Sequence, residues 1–151
     1  MPTDPLGRAR QRIWADHVSK KCVPPFYDYL MHDKDTAATD FRDAIYTLTQ
    51  EMDADGPFFD GSMYGLVDIM LTPFVDRLDI LKHFRGFELP PLSADPTWER
   101  FHRWWAAVSS RPSYLATRAD RQRLLDHYVK YAENTAKTQV AEAVRAGKVL
   151  P

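Results

Sequence analysis

The single cysteine thiol is the first group that could act as a catalytic nucleophile. Cys22 is the only cysteine among the 151 residues, and Lys20 and Lys21 precede it. Nearby lysines lower a thiol pKa, but a position inside a helix, away from its N-terminus, adds little to that effect. We therefore interpret Cys22 as a small packing residue and predict no catalytic residue in this chain. A single cysteine also excludes an intramolecular disulfide and any zinc site built from several cysteines.

The histidines are the second candidate group, because imidazole binds metal ions and transfers protons near neutral pH. No two of them are three or four residues apart, so no helix face presents the pair of ligands typical of a metal site, and we predict none. One of them, His17, falls on an apolar stripe, which favours a hydrogen-bonded core histidine over a functional one. The five are His17, His32, His83, His102 and His127.

Charge and hydropathy restrict the function classes. The chain has 20 Lys plus Arg and 21 Asp plus Glu, for a formal net charge of −1. This balance is not that of a nucleic-acid binder or a polybasic membrane-surface protein. No apolar run approaches the length of a membrane span, and the first residues lack the apolar core of a signal peptide. We expect one domain in the cytoplasm, where a lone thiol stays reduced.

Glycine and proline are concentrated in two short windows, and the stretches 26–55 and 113–146 contain neither. Long stretches without these residues favour helices. The first predicted helix begins with Asp4 as N-cap and Pro5 at its first position, and Pro24-Pro25 predicts a kink near Lys21. Its apolar stripe consists of Ile13, Trp14, His17, Val18, Cys22, Phe26, Tyr29 and Leu30.

Four further helical regions follow in the predicted fold. The second helix starts after Asp35, and the third runs from Leu66 to Phe84 as the central buried helix. The fourth opens at Asp95-Pro96 and ends at Arg111-Pro112. The last runs from about Arg118 to Tyr131 and continues into an amphipathic tail that Gly147 stops. We predict an all-α bundle of four main helices plus a C-terminal helix.

The start of the central helix has the most distinctive pattern. Asp68 occupies the third helical position, from which a carboxylate reaches back to the backbone N–H of the cap residue, Gly65. Because the aspartate lies in an apolar run, its carboxylate must be hydrogen-bonded, which favours a folding role over a catalytic one. Serine is a slightly better cap than glycine, so we expect Gly65→Ser to stabilise the domain modestly.

The segment Phe58–Ile69, with its continuation to Leu78, resembles the central helix of the C-terminal domain of cytosolic glutathione transferases. That family usually has Ser or Thr at the position of Gly65. The resemblance covers almost the whole chain, so residues 1–151 are expected to form one such helical domain, similar to the omega-like transferases of fungi. The other segments that carry it are Val23–Tyr27, His83–Phe87, Trp98–Trp105, Ser110–Ser113, Tyr128–Ala136 and Arg145–Pro151.

The resemblance implies that a catalytic half is absent from this chain. In the family, glutathione is the co-substrate and is held by an N-terminal thioredoxin-like domain, which supplies the catalytic residue. Nothing before Pro5 encodes such a domain, and no strand pattern appears elsewhere. By this resemblance, the chain is expected to have no cofactor of its own and to be inactive as a transferase by itself.

The resemblance also implies where a ligand would lie. In the family, the substrate pocket is lined by the first half of the first helix and by the last helix. The candidates here are Arg12 and Trp14 on the first helix, with Arg121 and Leu125 on the last. Arginines would bind an anionic ligand such as glutathione through forked hydrogen bonds. The alternative for each arginine is a solvated basic face.

Two functions from different classes remain at this point. One is the substrate-side domain of an omega-like glutathione transferase that performs glutathione-dependent thiol transfer or reduction. The other is a non-catalytic module for protein–protein interaction or dimerisation. The partner would be a thioredoxin-like domain, another protein or a second copy of the chain. If a partner domain is missing, Leu6, Trp14 and Leu125 are expected to leave apolar surface uncovered.

Overall fold

The computed structural model describes residues 2–150, and Met1 and Pro151 lie outside that range. The described residues form nine α-helices and no strand beyond two isolated bridges, which confirms the predicted all-α class. None of these helices is long and apolar enough to cross a membrane. The helices are α1 (Pro5–His17), α2 (Val23–His32), α3 (Asp35–Gln50), α4 (Leu66–Asp76), α5 (Leu78–Arg85), α6 (Glu99–Ser109), α7 (Pro112–Thr117), α8 (Arg121–Ala132) and α9 (Gln139–Arg145).

The first predicted helix is continuous, but it contains a π-helical turn where a kink was expected. Asp4 caps its start by accepting a hydrogen bond from the Gly7 N–H at 2.6 Å. Residues Val18–Cys22 form the π turn, in which the Val23 N–H donates to the Val18 carbonyl. The two prolines that follow have no N–H to continue the α-helical pattern. The predicted stripe was wrong at Ile13, whose side chain is 64% exposed.

The third predicted helix is two helices, not one. Helix α4 ends at Asp76 and α5 begins at Leu78, with Arg77 between them in a non-helical conformation. Pro73 lies inside α4 and removes one helical donor shortly before this break. The sequence prediction also missed α7, because Pro112 ends the preceding helix and at the same time occupies the first position of a new one.

The core is built mainly from α2, α3, α4 and α6. Helix α2 packs against α3, and α1 runs along α4. Buried aromatic rings fill the centre, where Phe26 contacts both Phe41 and Phe74 at 5.6 Å between ring centres. Such tilted and edge-on pairs add to the stabilisation from burial alone. The predicted central position of α4 agrees with the burial of Val67, Leu71 and Val75.

One arginine joins the C-terminal ends of three helices. The Arg85 guanidinium donates to the Leu30 carbonyl at the end of α2 and to the Ala132 carbonyl at the end of α8, both at 2.6 Å. In return, the Tyr29 hydroxyl donates to the Arg85 carbonyl at 2.9 Å. The last carbonyls of a helix have no partner within it, so a cation there satisfies them and complements the helix dipole. This contact holds α8 against α2 and α5.

A second polar centre lies at the start of α4, around the fully buried Asp68 carboxylate. One oxygen accepts from the Gly65 N–H at 2.7 Å, which is the predicted reach back to the cap. The other accepts from the Phe59 N–H at 2.9 Å and from the Trp104 indole N–H at 2.8 Å. The carboxylate therefore joins the connector 51–65, the first turn of α4 and the middle of α6.

The cap of α4 is completed by a residue from another helix. The Gln11 side chain, on α1, accepts from the Val67 N–H at 3.1 Å, where a serine cap would otherwise act. Its amide nitrogen donates to Asp60 of the connector. A Cβ atom on Gly65 would lie only 2.8 Å from that nitrogen. We therefore expect Gly65→Ser to destabilise the domain rather than to stabilise it, because serine would displace the glutamine that already caps the helix.

We predict that Asp68→Ala lowers the free energy of unfolding by about 3–5 kcal/mol, because it leaves three buried N–H groups without an acceptor. Urea denaturation followed by far-UV circular dichroism measures this. Asp43→Ala, at an exposed position of α3, is the matched control and should change stability by less than about 0.5 kcal/mol. A loss below about 1 kcal/mol for Asp68→Ala would contradict the role assigned to the carboxylate.

The substitutions Gly65→Ser and Gln11→Ala form a double-mutant cycle that tests whether serine and glutamine are alternative caps of α4. Gly65→Ser alone should destabilise the domain by about 1 kcal/mol, since it displaces a buried glutamine that makes two hydrogen bonds. In a Gln11→Ala background the same change should stabilise by roughly 0.5 kcal/mol, because the serine hydroxyl can then cap the helix. Thermal unfolding of the parent, the two single variants and the double variant measures both effects. If Gly65→Ser changes the stability in the same direction with and without Gln11, the exchange of caps is ruled out.

Candidate functional site

The two residues predicted on the first helix lie together on α1. Arg12 is exposed, whereas Trp14 is half-buried with its ring centre 6.1 Å from that of Phe59 in the connector. His17, one turn further on, hydrogen-bonds through Nε2 to the Ala44 carbonyl at 2.9 Å, so the expected hydrogen bond is present, although the side chain is half-buried rather than part of the core. This end of α1 therefore presents one cation and one partly covered indole ring.

The two residues predicted on the last helix lie on α8, away from that pair. Arg121 is exposed and forms an ion pair with Asp79 of α5, while Leu125 is half-buried against the core. Arg121 also lines a groove beside α5, α6 and α7, and neither Arg12 nor Trp14 contributes to the wall of that groove. The structure thus places the four candidates in two pairs, and their assignment to substrate binding stays a prediction.

A cluster of tyrosines and one arginine lies between α8, α2 and the break between α4 and α5. Tyr128 and Tyr131 project from α8, and Tyr27 projects from α2 towards them. The ring centres of Tyr27 and Tyr131 are 5.7 Å apart, and those of Tyr128 and Tyr131 are 5.3 Å apart. Arg77, at the break between α4 and α5, completes the cluster with its guanidinium 6.0 Å from the centre of the Tyr128 ring.

The electrostatics of this cluster favour a neutral phenol at Tyr27 beside the Arg77 cation. Burial raises the pKa of Tyr27, the phenol of Tyr128 raises it further, and Arg77 opposes the shift only in part. Tyr27 therefore keeps its proton at neutral pH and can donate a hydrogen bond. The Arg77 Nη1 donates to the Pro73 carbonyl at 2.6 Å, while its Nε is buried and has no partner among the described residues.

Tyr128 and Tyr131 are only 6% and 7% exposed, and the rings of the cluster pack directly against one another, so the cluster is a part of the core that joins α2 to α8. Tyrosine rings supply apolar contact area, and the phenol and guanidinium supply donors. The sequence patterns did not single out Tyr27 or Arg77. The available signal was weak, since an arginine that directly follows an apolar helix is usually a solvated end of that helix.

Cys22 does not contribute a nucleophile to the cluster. Its side chain is fully buried in the π turn, and burial raises the pKa of its thiol to about 12. At neutral pH almost none of the thiol is ionised, and the thiolate is the nucleophilic form. This geometry supports the interpretation of Cys22 as a packing residue.

The fold now described is that of a glutathione transferase helical domain. Glutathione transferase Omega 3C from Trametes versicolor superposes with a TM-score of 0.74 and 33% identity, covering 91% of this chain and 57% of that one. The Tau class enzyme of mango, Mangifera indica, superposes with a TM-score of 0.72 at 19% identity, covering 90% of this chain and 62% of that one, which supports the fold alone. The probable glutathione S-transferase parC of Nicotiana tabacum is 27% identical over 133 residues, which are 83% of this chain and 56% of that protein.

The family model described as glutathione S-transferase, C-terminal domain, matches residues 14–109, which is more than half of the chain. The chain belongs to this family. It spans about half the length of the curated relatives that it matches. Catalytic activity of the whole relatives is therefore not carried over to this chain by the similarity itself.

We predict that Cys22 of the folded protein resists alkylation. Iodoacetamide at pH 8 should modify less than about 5% of the thiol in an hour under native conditions, because the thiol is both buried and protonated. In urea the same reagent should react to completion within that time, which serves as the internal control. Intact-mass spectrometry measures both reactions, and rapid native alkylation would show that Cys22 is accessible and ionised.

Proposed function

We propose that this chain provides the substrate-side half of an omega-like glutathione transferase. In the complete enzyme, a thioredoxin-like domain would hold glutathione, and the helical half would position the second substrate for glutathione-dependent thiol transfer or reduction. The membership of the chain in the C-terminal domain family and its 33% identity to an Omega class enzyme support this proposal. A cytoplasmic location and a homodimer of the complete enzyme are parts of the same proposal.

The observation that carries the proposal is a set of three large aliphatic side chains left exposed on two helices that pack together. Leu6 and Ile13 of α1 are 81% and 64% exposed, and Ile69 of the neighbouring α4 is 54% exposed. Burial of apolar surface is favourable by about 25 cal/mol per Å², so large exposed aliphatic side chains on adjoining helices favour association. We call Leu6, Ile13 and Ile69 the docking face and assign the thioredoxin-like domain to it.

Trp14 and Leu125, which were also expected to leave apolar surface uncovered, support this proposal less directly than Leu6, because both are half-buried within the chain. Neither is fully covered, so each still has surface to offer to a partner or a substrate. We keep Arg121 and Leu125 on α8, and Arg12 and Trp14 on α1, as the proposed substrate contacts of the complete enzyme.

Reconstitution tests the proposal. The isolated thioredoxin-like domain of an omega-class enzyme is mixed with this chain, and association is measured by isothermal titration calorimetry. Glutathione-dependent reduction of 2-hydroxyethyl disulfide is measured in parallel. We expect association and a gain in reduction rate over either component alone, with no activity from this chain by itself.

A charge introduced into the docking face locates the contact. Ile13→Asp should weaken association by about tenfold or more, since the interface would bury an unpaired carboxylate. Leu92→Asp, at an exposed leucine of the 86–95 loop, is the matched control and should leave association unchanged. Self-association of the chain with no response to the thioredoxin-like domain or to glutathione would contradict the transferase role and favour an interaction module.

A further inference from the structure

The first half of α1 is attached to the rest of the chain by a polar side chain rather than by apolar ones. Among residues 5–13, Gln11 alone is buried, whereas the apolar side chains of Leu6 and Ile13 face solvent. The first apolar side chain of α1 that packs against the core is that of Trp14, which is half-buried. A helix end with so little apolar burial is stabilised only weakly by packing, so its position depends on polar contacts.

Gln11 joins α1 to two other segments at once. Its side-chain oxygen accepts from the Val67 N–H at 3.1 Å in the first turn of α4, and its side-chain nitrogen donates to the Asp60 carboxylate in the connector. Hydrogen bonds of a buried amide are costly to break, because the groups left behind have no water to replace them. We call these two hydrogen bonds the Gln11 tether.

Arg10 adds a second and weaker attachment. Its guanidinium donates to the Asp60 carboxylate and to the Glu51 carbonyl, and it lies 4.4 Å from the centre of the Phe59 ring. The Arg10 side chain is 37% exposed, and ion pairs and cation–π contacts at exposed positions contribute little. Without Gln11, the first half of α1 is therefore expected to stay attached but to open locally more often.

The Gln11 tether lies on the side of α1 opposite to the docking face. Leu6 and Ile13 are seven residues apart, which is close to two helical turns, so both project from one side of the helix. Gln11 precedes Ile13 by two residues, which is a rotation of about 200°, and it therefore projects from the other side. The tether thus fixes the rotation of α1 about its axis and the position of α1 along α4, which carries Ile69.

We infer that Gln11 is a positioning residue for docking of the thioredoxin-like domain. Its side chain holds the first half of α1 in the ordered state in which Leu6 and Ile13 face the partner. If that half is ordered in only a fraction of the molecules, the apparent affinity for the partner falls by the same factor. The inference rests on the function proposed above, because it adds a residue outside the docking face to the same association.

A double variant separates this role of Gln11 from its capping of α4. Gln11→Ala removes the tether, and Gly65→Ser in the same chain supplies a serine hydroxyl as the new cap, so α4 keeps its start while α1 loses its attachment. We expect the affinity for the thioredoxin-like domain of an omega-class enzyme, measured by isothermal titration calorimetry, to fall by about fivefold or more. The amides of Arg12 and Ile13 should exchange with solvent at least about tenfold faster by NMR, since α1 opens locally more often.

Two further variants complete the design. Asp60→Ala removes the acceptor of the Gln11 amide from the connector side and should change affinity and exchange in the same direction. Tyr29→Phe is the control, because it removes a hydrogen bond to the Arg85 carbonyl near the end of α2 and lowers stability without touching the tether. Both readouts should stay as in the parent for this control. Far-UV circular dichroism verifies that each variant is folded at the temperature of the titration.

The outcomes distinguish this inference from the function on which it rests. If the parent chain does not bind the thioredoxin-like domain, the proposed function is refuted and the inference with it. If the parent chain binds, three results overturn the inference alone. These are unchanged affinity in the double variant or in Asp60→Ala, lower affinity without faster exchange in α1, and an equal loss of affinity in Tyr29→Phe.

Discussion

A fully buried carboxylate accepts three hydrogen bonds at the point where three parts of the chain meet. Asp68 binds the N–H of Gly65 and of Phe59 and the indole N–H of Trp104, so one side chain positions the connector, α4 and α6 together. An ionised group with no water around it is tolerated only when it is fully hydrogen-bonded. The geometry at the start of α4 is therefore strongly constrained, and Gln11 adds α1 to the same centre.

The position of the tyrosine–arginine cluster follows from this constraint together with a second one. Asp68 fixes the start of α4, and Arg77 lies where that helix ends. Arg85 holds the end of α8 against the end of α2, which brings Tyr128 and Tyr27 to the same place. The cluster therefore depends on two polar contacts, each of which joins segments far apart in the sequence.

Local signals made a large part of the fold predictable. Asp4-Pro5 starts α1, and Asp95-Pro96 starts a 3-10 turn (Pro96–Trp98) that leads directly into α6, because a short acidic side chain caps the turn and proline suits its first position. The breaker-free stretch after Asp35 is helix α3. These features are set by neighbouring residues, so the sequence alone was sufficient to find them.

The features that the sequence did not reveal are set by distant residues. Gly65 looked like an imperfect cap because nothing local shows that Gln11 supplies the missing acceptor. Ile13 was placed in the core by periodicity, but its side chain is 64% exposed among the described residues. The grouping of Arg77 with Tyr27 depends on the break between α4 and α5 and on the docking of α8, neither of which has a strong sequence signature.

We infer that the Asp68 centre holds its segments together and opens only when the whole domain unfolds. Native-state hydrogen exchange of the Phe59 and Gly65 amides and the Trp104 indole, followed by NMR at increasing urea concentration, tests this most directly. We predict that all three protons exchange only through global unfolding, with the same free energy and the same urea dependence as the whole domain. Exchange of any of the three through a local opening several kcal/mol below the global value would contradict it.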